Sequence, residues 1–493
     1  MYKLSKYNYI LTNFPETAIL FNGLTKKFFL IKREKLAQYV NLLNSFQGLV
    51  DIPTPHLAIL QKMIRAGFIV KENVDEFQQV RKREHDFFET KEYQTIIIPT
   101  YDCNYSCWYC TQKHQPTELQ DMNVERIKKH IVSYIEQNNI LTYYLCWFGG
   151  EPLMQKNRVV EISNDLYQYC LVNNIEFCGQ ITTNGALLDE KLIRQLSSVK
   201  IDRYQITIDG NRENHNQTKK VKNSTSSFDL ILNNVKMLLE LNSRSIVVLR
   251  LNYNSQKLKD FDMVRQLDEI IPNQLRNRIY VDFQRIWQAK FEQNCLHDLY
   301  VLMDLFAKSG YTLSTNAFFS ACYVEKTHFE TIYYDGKVDF CDNYDSNMAR
   351  GSIEDDGSVS WNAPLPTRIE KNKAYSVCGN CSFYPVCTGE CMAKRDKRLR
   401  LGMEFVCSDK RKQEIEFNML DYCFRCMLNS KSSNPQPIGF SGILLAKRQN
   451  SFYCTYFLHN RNVADTKSPY PIKRLEVIRW FNQKSMVFNQ SLS

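Results

Sequence analysis

Thr95-Ile-Ile-Ile-Pro-Thr-Tyr-Asp-Cys-Asn-Tyr-Ser-Cys-Trp-Tyr-Cys110 is the stretch on which the fold turns. A short β-branched run stops at a proline, and the loop beyond it carries Cys103, Cys107 and Cys110 as Cys-x3-Cys-x2-Cys. The run has the length and composition of a buried strand. Outward from it the texture repeats. Strands are predicted at Thr95–Pro99, Tyr143–Phe148, Glu176–Thr183, Arg203–Ile208, Ile246–Asn252 and Tyr280–Arg285. Amphipathic stretches such as Val124–Glu136, Arg158–Val172 and Phe228–Leu241 lie between them. Six strands, each followed by a helix, predict an α/β fold: a parallel sheet curled into a partial (βα)6 TIM-type barrel over residues 93–310. Active sites of such folds lie at the C-terminal strand ends. The cysteine loop sits at one.

The flanks read differently. Residues 1–92 alternate short strands (Tyr7–Leu11, Ala18–Asn22, Phe28–Ile31) with two helix-like stretches, Arg33–Phe46 and Thr54–Ala66, and a closing Gly67–Val70. They predict a small α+β module followed by a charged helical connector. In residues 311–410 the helical period fades and cysteines crowd in. Residues 411–493 begin with a helix-like Lys412–Leu428 and end in a tail without clear periodicity.

With 44% hydrophobic residues over 493, the chain has ample material for a core, which excludes wholesale disorder and small disulfide scaffolds. No apolar run nears the ~20 residues of a membrane span. The opening residues lack a signal-peptide pattern, so a cytoplasmic, reducing location is expected. There the 17 cysteines mean thiols, metal ligands or catalysis. The net charge of +10 raises a remote alternative, a non-catalytic metal-binding scaffold for nucleic acid. However, residues 430–493 alone hold nine Lys/Arg against two Asp/Glu, so no basic groove follows the cysteines. No nucleic-acid partner and no membrane partner are expected.

Three thiolates at the Cys103–Cys110 spacing can hold three irons of a [4Fe–4S] cube and leave the fourth open. A three-thiolate zinc site or buried free cysteines would give the same spacing. The loop's position after the first barrel strand and a second motif decide between them. After the second strand comes Trp147-Phe-Gly-Gly-Glu-Pro-Leu153. Gly149 and Gly150 let backbone approach a ligand, and Glu151 can accept hydrogen bonds from an ammonium group. With both motifs at successive strand ends, and Tyr109 before the third cysteine, the chain resembles the radical S-adenosylmethionine (radical SAM) superfamily. The resemblance implies that SAM chelates the open iron, with Glu151 and the neighbouring glycine backbone holding its methionine ammonium. It also implies SAM contacts for Asn184 and Thr207, which as strand-end turn residues could equally cap helices.

Residues 322–407 hold seven cysteines: Cys322, Cys341, Cys378, Cys381, Cys387, Cys391 and Cys407, with Gly336 between the first two. All seven positions and the glycine resemble the SPASM domain, a C-terminal extension of certain radical SAM enzymes. That resemblance implies two auxiliary [4Fe–4S] clusters and hence three in all. Cys378, Cys381, Cys387 and Cys407 would hold one; Cys322, Cys341 and Cys391 would hold the other. Its fourth ligand is left open, His328 being one substitute. By the same resemblance Asp342 is a candidate base, although it also reads as an exposed turn residue. The implied reaction begins with SAM cleavage to a 5′-deoxyadenosyl radical and ends in oxidative modification of a peptide or protein side chain. A ribosomally made precursor peptide receiving a thioether or C–C cross-link is the favoured substrate, because the N-terminal module suits leader recognition by strand addition. An anaerobic sulfatase-maturating enzyme that forms formylglycine is the alternative. A low-potential electron donor such as flavodoxin or ferredoxin is the expected partner.

Overall fold

A computed structural model describes residues 1–430 except 13–15, 45–56, 220–225, 287, 289–294, 316–321, 364–377, 388–390, 404–406 and 408. The basic tail expected after residue 430 lies outside the described residues.

The N-terminal module has two small sheets. β1 (Tyr2–Leu4) is an addition to the sequence reading, since its three residues alternate with a lysine and show no run. β2 (Asn8–Leu11), β3 (Thr17–Asn22) and β4 (Phe28–Lys32) form an antiparallel sheet with β3 central. Helices α1 (Leu36–Asn44) and α2 (Leu57–Arg65) follow, and β5 (Ile69–Lys71) returns antiparallel to β1. The connector is the helix α3 (Glu76–Phe88), whose start is capped by Asp75 accepting the Phe77 and Gln78 N–H groups.

Six parallel strands then alternate with helices: β6 (Glu92–Ile98), α4 (Asp121–Asn138), β7 (Thr142–Trp147), α5 (Lys156–Val172), β8 (Glu176–Thr183), α6 (Glu190–Ser198) and β9 (Ile201–Ile208). The series continues with α7 (Arg212–Thr218), α8 (Ser227–Leu241), β10 (Ile246–Tyr253), α9 (Asp262–Ile270), α10 (Asn273–Arg276), β11 (Ile279–Arg285) and α11 (Cys295–Lys308). Both faces of these strands are covered, which is why Ile96, Ile97 and Ile98 are all fully buried and the run is continuous rather than alternating. Each helix turns one stripe inward; on α4 it is Val124, Ile127, Ile131 and Ile135. Asn139, in the left-handed region at φ 51°, ends α4.

The sheet does not stop at this unit. β12 (Thr312–Leu313) extends it beside β11, and β13 (Phe329–Tyr333) pairs parallel with the opposite edge, β6. β14 (Lys337–Asp339), β15 (Gly351–Ile353) and β16 (Val359–Trp361) are added antiparallel, so one 11-stranded sheet runs into the cysteine-rich region. The reason is edge satisfaction: without β13 the backbone groups of β6 would be open on that side. At the far edge the Asn429 side chain does the same for Leu313, donating to its carbonyl (2.8 Å) and accepting its N–H (2.9 Å). Asn429 ends a closing helix, Asp409–Asn429, packed on α11 and β12. Among the described residues no helix is long and apolar enough to cross a membrane.

Candidate active site

Beyond β6 the chain turns at Thr100, whose hydroxyl donates to the Thr117 carbonyl at 2.5 Å, while the Thr117 hydroxyl accepts the Tyr101 N–H at 2.7 Å. These bonds close the base of the loop that bears Cys103, Cys107 and Cys110. The Gly149-Gly150 pair packs directly beneath. A Cβ on Gly150 would stand 2.1 Å from the Asp102 carbonyl oxygen, and one on Gly149 would stand 2.6 Å from that of Thr100. The Gly150 N–H donates to Thr100 O (3.0 Å) and the Glu151 N–H to Asp102 O (2.8 Å). The glycines therefore serve close contact between two loops as well as forming cavity wall.

Glu151 follows the glycine pair and turns inward. Its side chain is fully buried and is not on the cavity wall. The carboxylate accepts from the Thr183 hydroxyl (2.7 Å), the Asn184 N–H (2.7 Å) and the Leu153 N–H (3.0 Å). Burial pushes its pKa up, against those three bonds and the charge of Lys219. Here Glu151 braces the end of β8 and sets Asn184 in place. Asn184 does face the cavity, and its amide donates to Asn104 at 2.7 Å, on the cysteine loop. Thr207 lines the cavity at the end of β9, and the Lys219 ammonium donates to its carbonyl at 2.7 Å.

A polar cluster behind Tyr109 was not read from the sequence. Tyr109 donates its phenol to the buried Asp209 (2.7 and 2.8 Å), and the Lys257 ammonium stands 3.7 Å from the same carboxylate. The Asp209 N–H donates to Nδ1 of the buried His215 at 3.2 Å, so that nitrogen carries no proton. Burial, with Lys219 and Lys257 nearby, holds the His215 pKa well below its usual value. Asp209 lies in the Ile-Thr-Ile-Asp-Gly strand end, but Lys219 and Lys257 arrive from later segments with no motif to announce them.

The thiols fall into three groups. Cys103 is pushed up to about 12 by burial, against the Tyr105 N–H, with Glu151, Cys107 and Cys110 adding to the rise. Burial also raises Cys341 well above its usual value, with Asp342, Cys322 and Cys391 contributing. Cys378 rises to about 11 through burial and the neighbouring Cys387, Cys381 and Cys407. Each group thus contains thiols that the family resemblance assigns to one cluster. Buried thiols that raise one another's pKa are suited to a cationic cluster, which takes up their thiolates. Among the described residues no three His, Cys, Asp or Glu side chains close around a single ion. Asp342 does sit in a turn, but it is buried on the cavity wall and accepts from Tyr323 at 3.3 Å. His328 has its Nδ1 3.0 Å from the Tyr134 hydroxyl on α4. Of the remaining cysteines, Cys146, Cys170 and Cys423 are buried packing residues.

Residues 97–267 match the family model of the radical SAM superfamily. These residues form a radical SAM domain. For these residues the match implies a [4Fe–4S] cluster and SAM. Among similar curated proteins, the cysteine-type anaerobic sulfatase-maturating enzyme of Clostridium novyi is 24% identical over 356 residues, covering 63% of this chain and 91% of that one. The serine-type enzyme of Bacteroides thetaiotaomicron is 26% identical over 174 residues, 32% of this chain and 39% of its own length. A 7-carboxy-7-deazaguanine synthase of Methanospirillum hungatei is 34% identical over 92 residues, covering 19% of this chain. This chain spans only 37% of that synthase's length. Among solved structures, native anSMEcpe with bound AdoMet and Cp18Cys peptide superposes with TM-score 0.50 at 17% identity. That likeness covers 69% of this chain and 98% of that one, and it supports the partial-barrel fold.

Proposed function

We propose that this radical SAM enzyme oxidises a side chain of a peptide or protein substrate, with auxiliary clusters in residues 311–410 beside the core of residues 93–310. One observation supports it most: the cavity at the strand ends is walled by the cysteine loop and also by Asp342, the residue directly after Cys341. A substrate C–H seated there lies between the SAM loop and a buried carboxylate. When bound, the cluster and SAM supply the radical that removes a hydrogen atom, and auxiliary clusters supply the acceptor for the electron the substrate then releases. Asp342 takes the proton that leaves with it. Asn184, Thr207 and the glycine backbone form the wall against which SAM lies, with Glu151 holding Asn184 in register. Cys378, Cys381, Cys387 and Cys407 would hold one auxiliary cluster, and Cys322, Cys341 and Cys391 the other.

For the substrate, a ribosomally made precursor peptide receiving a thioether or C–C cross-link is our reading. The anSMEcpe structure is matched over 98% of its length by 69% of this chain. The β2–β3–β4 sheet of the N-terminal module offers two edge strands to an extended leader. Formylglycine formation on a sulfatase is the second reading, favoured by the names of two relatives. A flavodoxin or ferredoxin is the electron donor in either case.

Anaerobic reconstitution tests the chemistry. Cys103→Ala, Cys107→Ala and Cys110→Ala together should abolish cleavage of SAM to 5′-deoxyadenosine while auxiliary-cluster absorbance remains. Stoichiometric zinc with iron near zero would sink the reading. A short neighbouring reading frame with repeated Cys, Lys or aromatic residues supports the peptide; an adjacent sulfatase gene reverses that choice.

A further inference from the structure

Arg411 lies in the first turn of the closing helix, half-buried against the cysteine-rich loops. Its Nε donates to Sγ of Cys387 at 3.3 Å. Its positive charge also favours the thiolates of Cys378 and Cys407. The thiols are brought to it by packing from the other side. Tyr384 donates to both oxygens of Glu84 on α3 (2.9 Å each), and Phe383 packs on Tyr9 with ring centroids 4.9 Å apart. Lys6 donates to the Gly379 carbonyl at 3.2 Å. The Cys378–Cys387 segment is thereby pinned between the N-terminal module and Arg411.

N–H donors and positive charge at cluster sulfurs stabilise the reduced, more negative cluster and raise its reduction potential. We propose that Arg411 is a positioning residue that tunes the auxiliary cluster held by Cys378, Cys381, Cys387 and Cys407, setting how readily that cluster takes an electron. The inference rests on the auxiliary-cluster reading above. Lysine keeps the charge but lacks the planar, directed N–H fork; methionine lacks both.

The test is a redox titration of full-length protein, monitored by electron paramagnetic resonance, with iron counted per chain. In a Cys103→Ala/Cys107→Ala/Cys110→Ala background, the relevant signal is the one that Cys378→Ala removes. Arg411→Met should keep the iron and move that signal's midpoint to a more negative potential, with Arg411→Lys in between. An unmoved midpoint in both variants overturns the proposal, as does loss of the cluster from both, which would make Arg411 an assembly residue. If only Arg411→Met loses iron, the Arg411→Lys midpoint decides: a negative shift supports tuning and no shift overturns it. No signal lost with Cys378→Ala would instead overturn the auxiliary-cluster reading.

Discussion

Glu151 is legible as a residue, whereas its orientation is not. Gly-Gly-Glu-Pro marks the loop, but no spacing tells which way a carboxylate faces once its backbone is folded. Three donors from the β8 end and its own turn decide it here. Glu151→Gln keeps one acceptor oxygen and sets an amide NH2 against a buried donor, so it should cost about 1–3 kcal/mol of stability. SAM affinity should fall by roughly tenfold as Asn184 shifts, the equivalent of about 1.4 kcal/mol. Urea melts and equilibrium SAM binding check both; wild-type values in both would remove the bracing role. The thiols carry a pH prediction of defined sign. Cys103 is raised from about 9 to about 12, so between those values the unfolded chain releases a proton that the folded one keeps. The cluster-free protein should therefore lose stability as pH climbs through 9, while the reconstituted protein, its thiols already deprotonated by iron, loses less. Thermal melts of both forms across that window give the difference.

Elements owe their existence to local pattern and their neighbours to surface that must be covered. All six barrel strands and helices such as α4, α5 and α8 could be read, because strands covered on both faces are continuous apolar runs and helices carry a 3.6-residue stripe; the short α7 and α10 carry too few residues to show one. β13 was hidden. Phe-Glu-Thr-Ile-Tyr carries a charge in a strand that turns out wholly buried, and only the partner of that charge explains it. Glu330 accepts from Tyr93 of β6 (2.6 Å) and pairs with Nε2 of His130 on α4 (2.8 Å), whose Nδ1 faces the Gly357 carbonyl (2.9 Å). Two acceptors on one imidazole require both nitrogens to be protonated. Burial lowers the His130 pKa, but Glu330 and the carbonyl outweigh it and the net shift is upward. Its stabilisation is complete below the ordinary histidine pKa and fades as pH rises through the raised one. Glu330→Gln should cost about 3 kcal/mol by leaving the imidazolium unpaired in the interior. It should also return the His130 titration seen by NMR to below its usual value. A stability unchanged from pH 6 to 9 in wild type and variant alike would exclude the pair as the clamp between α4 and β13.

At the scale of the whole molecule, the N-terminal module and the Cys378–Cys387 segment are adjacent although some 300 residues separate their contacts, as Tyr384 and Glu84 do. Tyr384→Ala removes a side chain 2% exposed and should cost about 3–5 kcal/mol. Limited proteolysis should then cut near α3, and iron should fall by the share of one cluster; intact iron with an unchanged digest would uncouple module from cluster. The chain's own order established the barrel class, the two cysteine regions and the thiols of each, because strand texture, helical stripes and ligand spacing are local properties of covalently near residues. Folding decided what distance along the chain conceals. It set Glu151 behind the site and buried Asp342 on the cavity wall. It drew Lys219 and Lys257 to Asp209, seated β13 on β6, and placed Arg411 on Cys387. Each of these is a pairing between groups whose partners the sequence supplies elsewhere. Only the packing that satisfies buried charges, backbone edges and thiols together could choose among them.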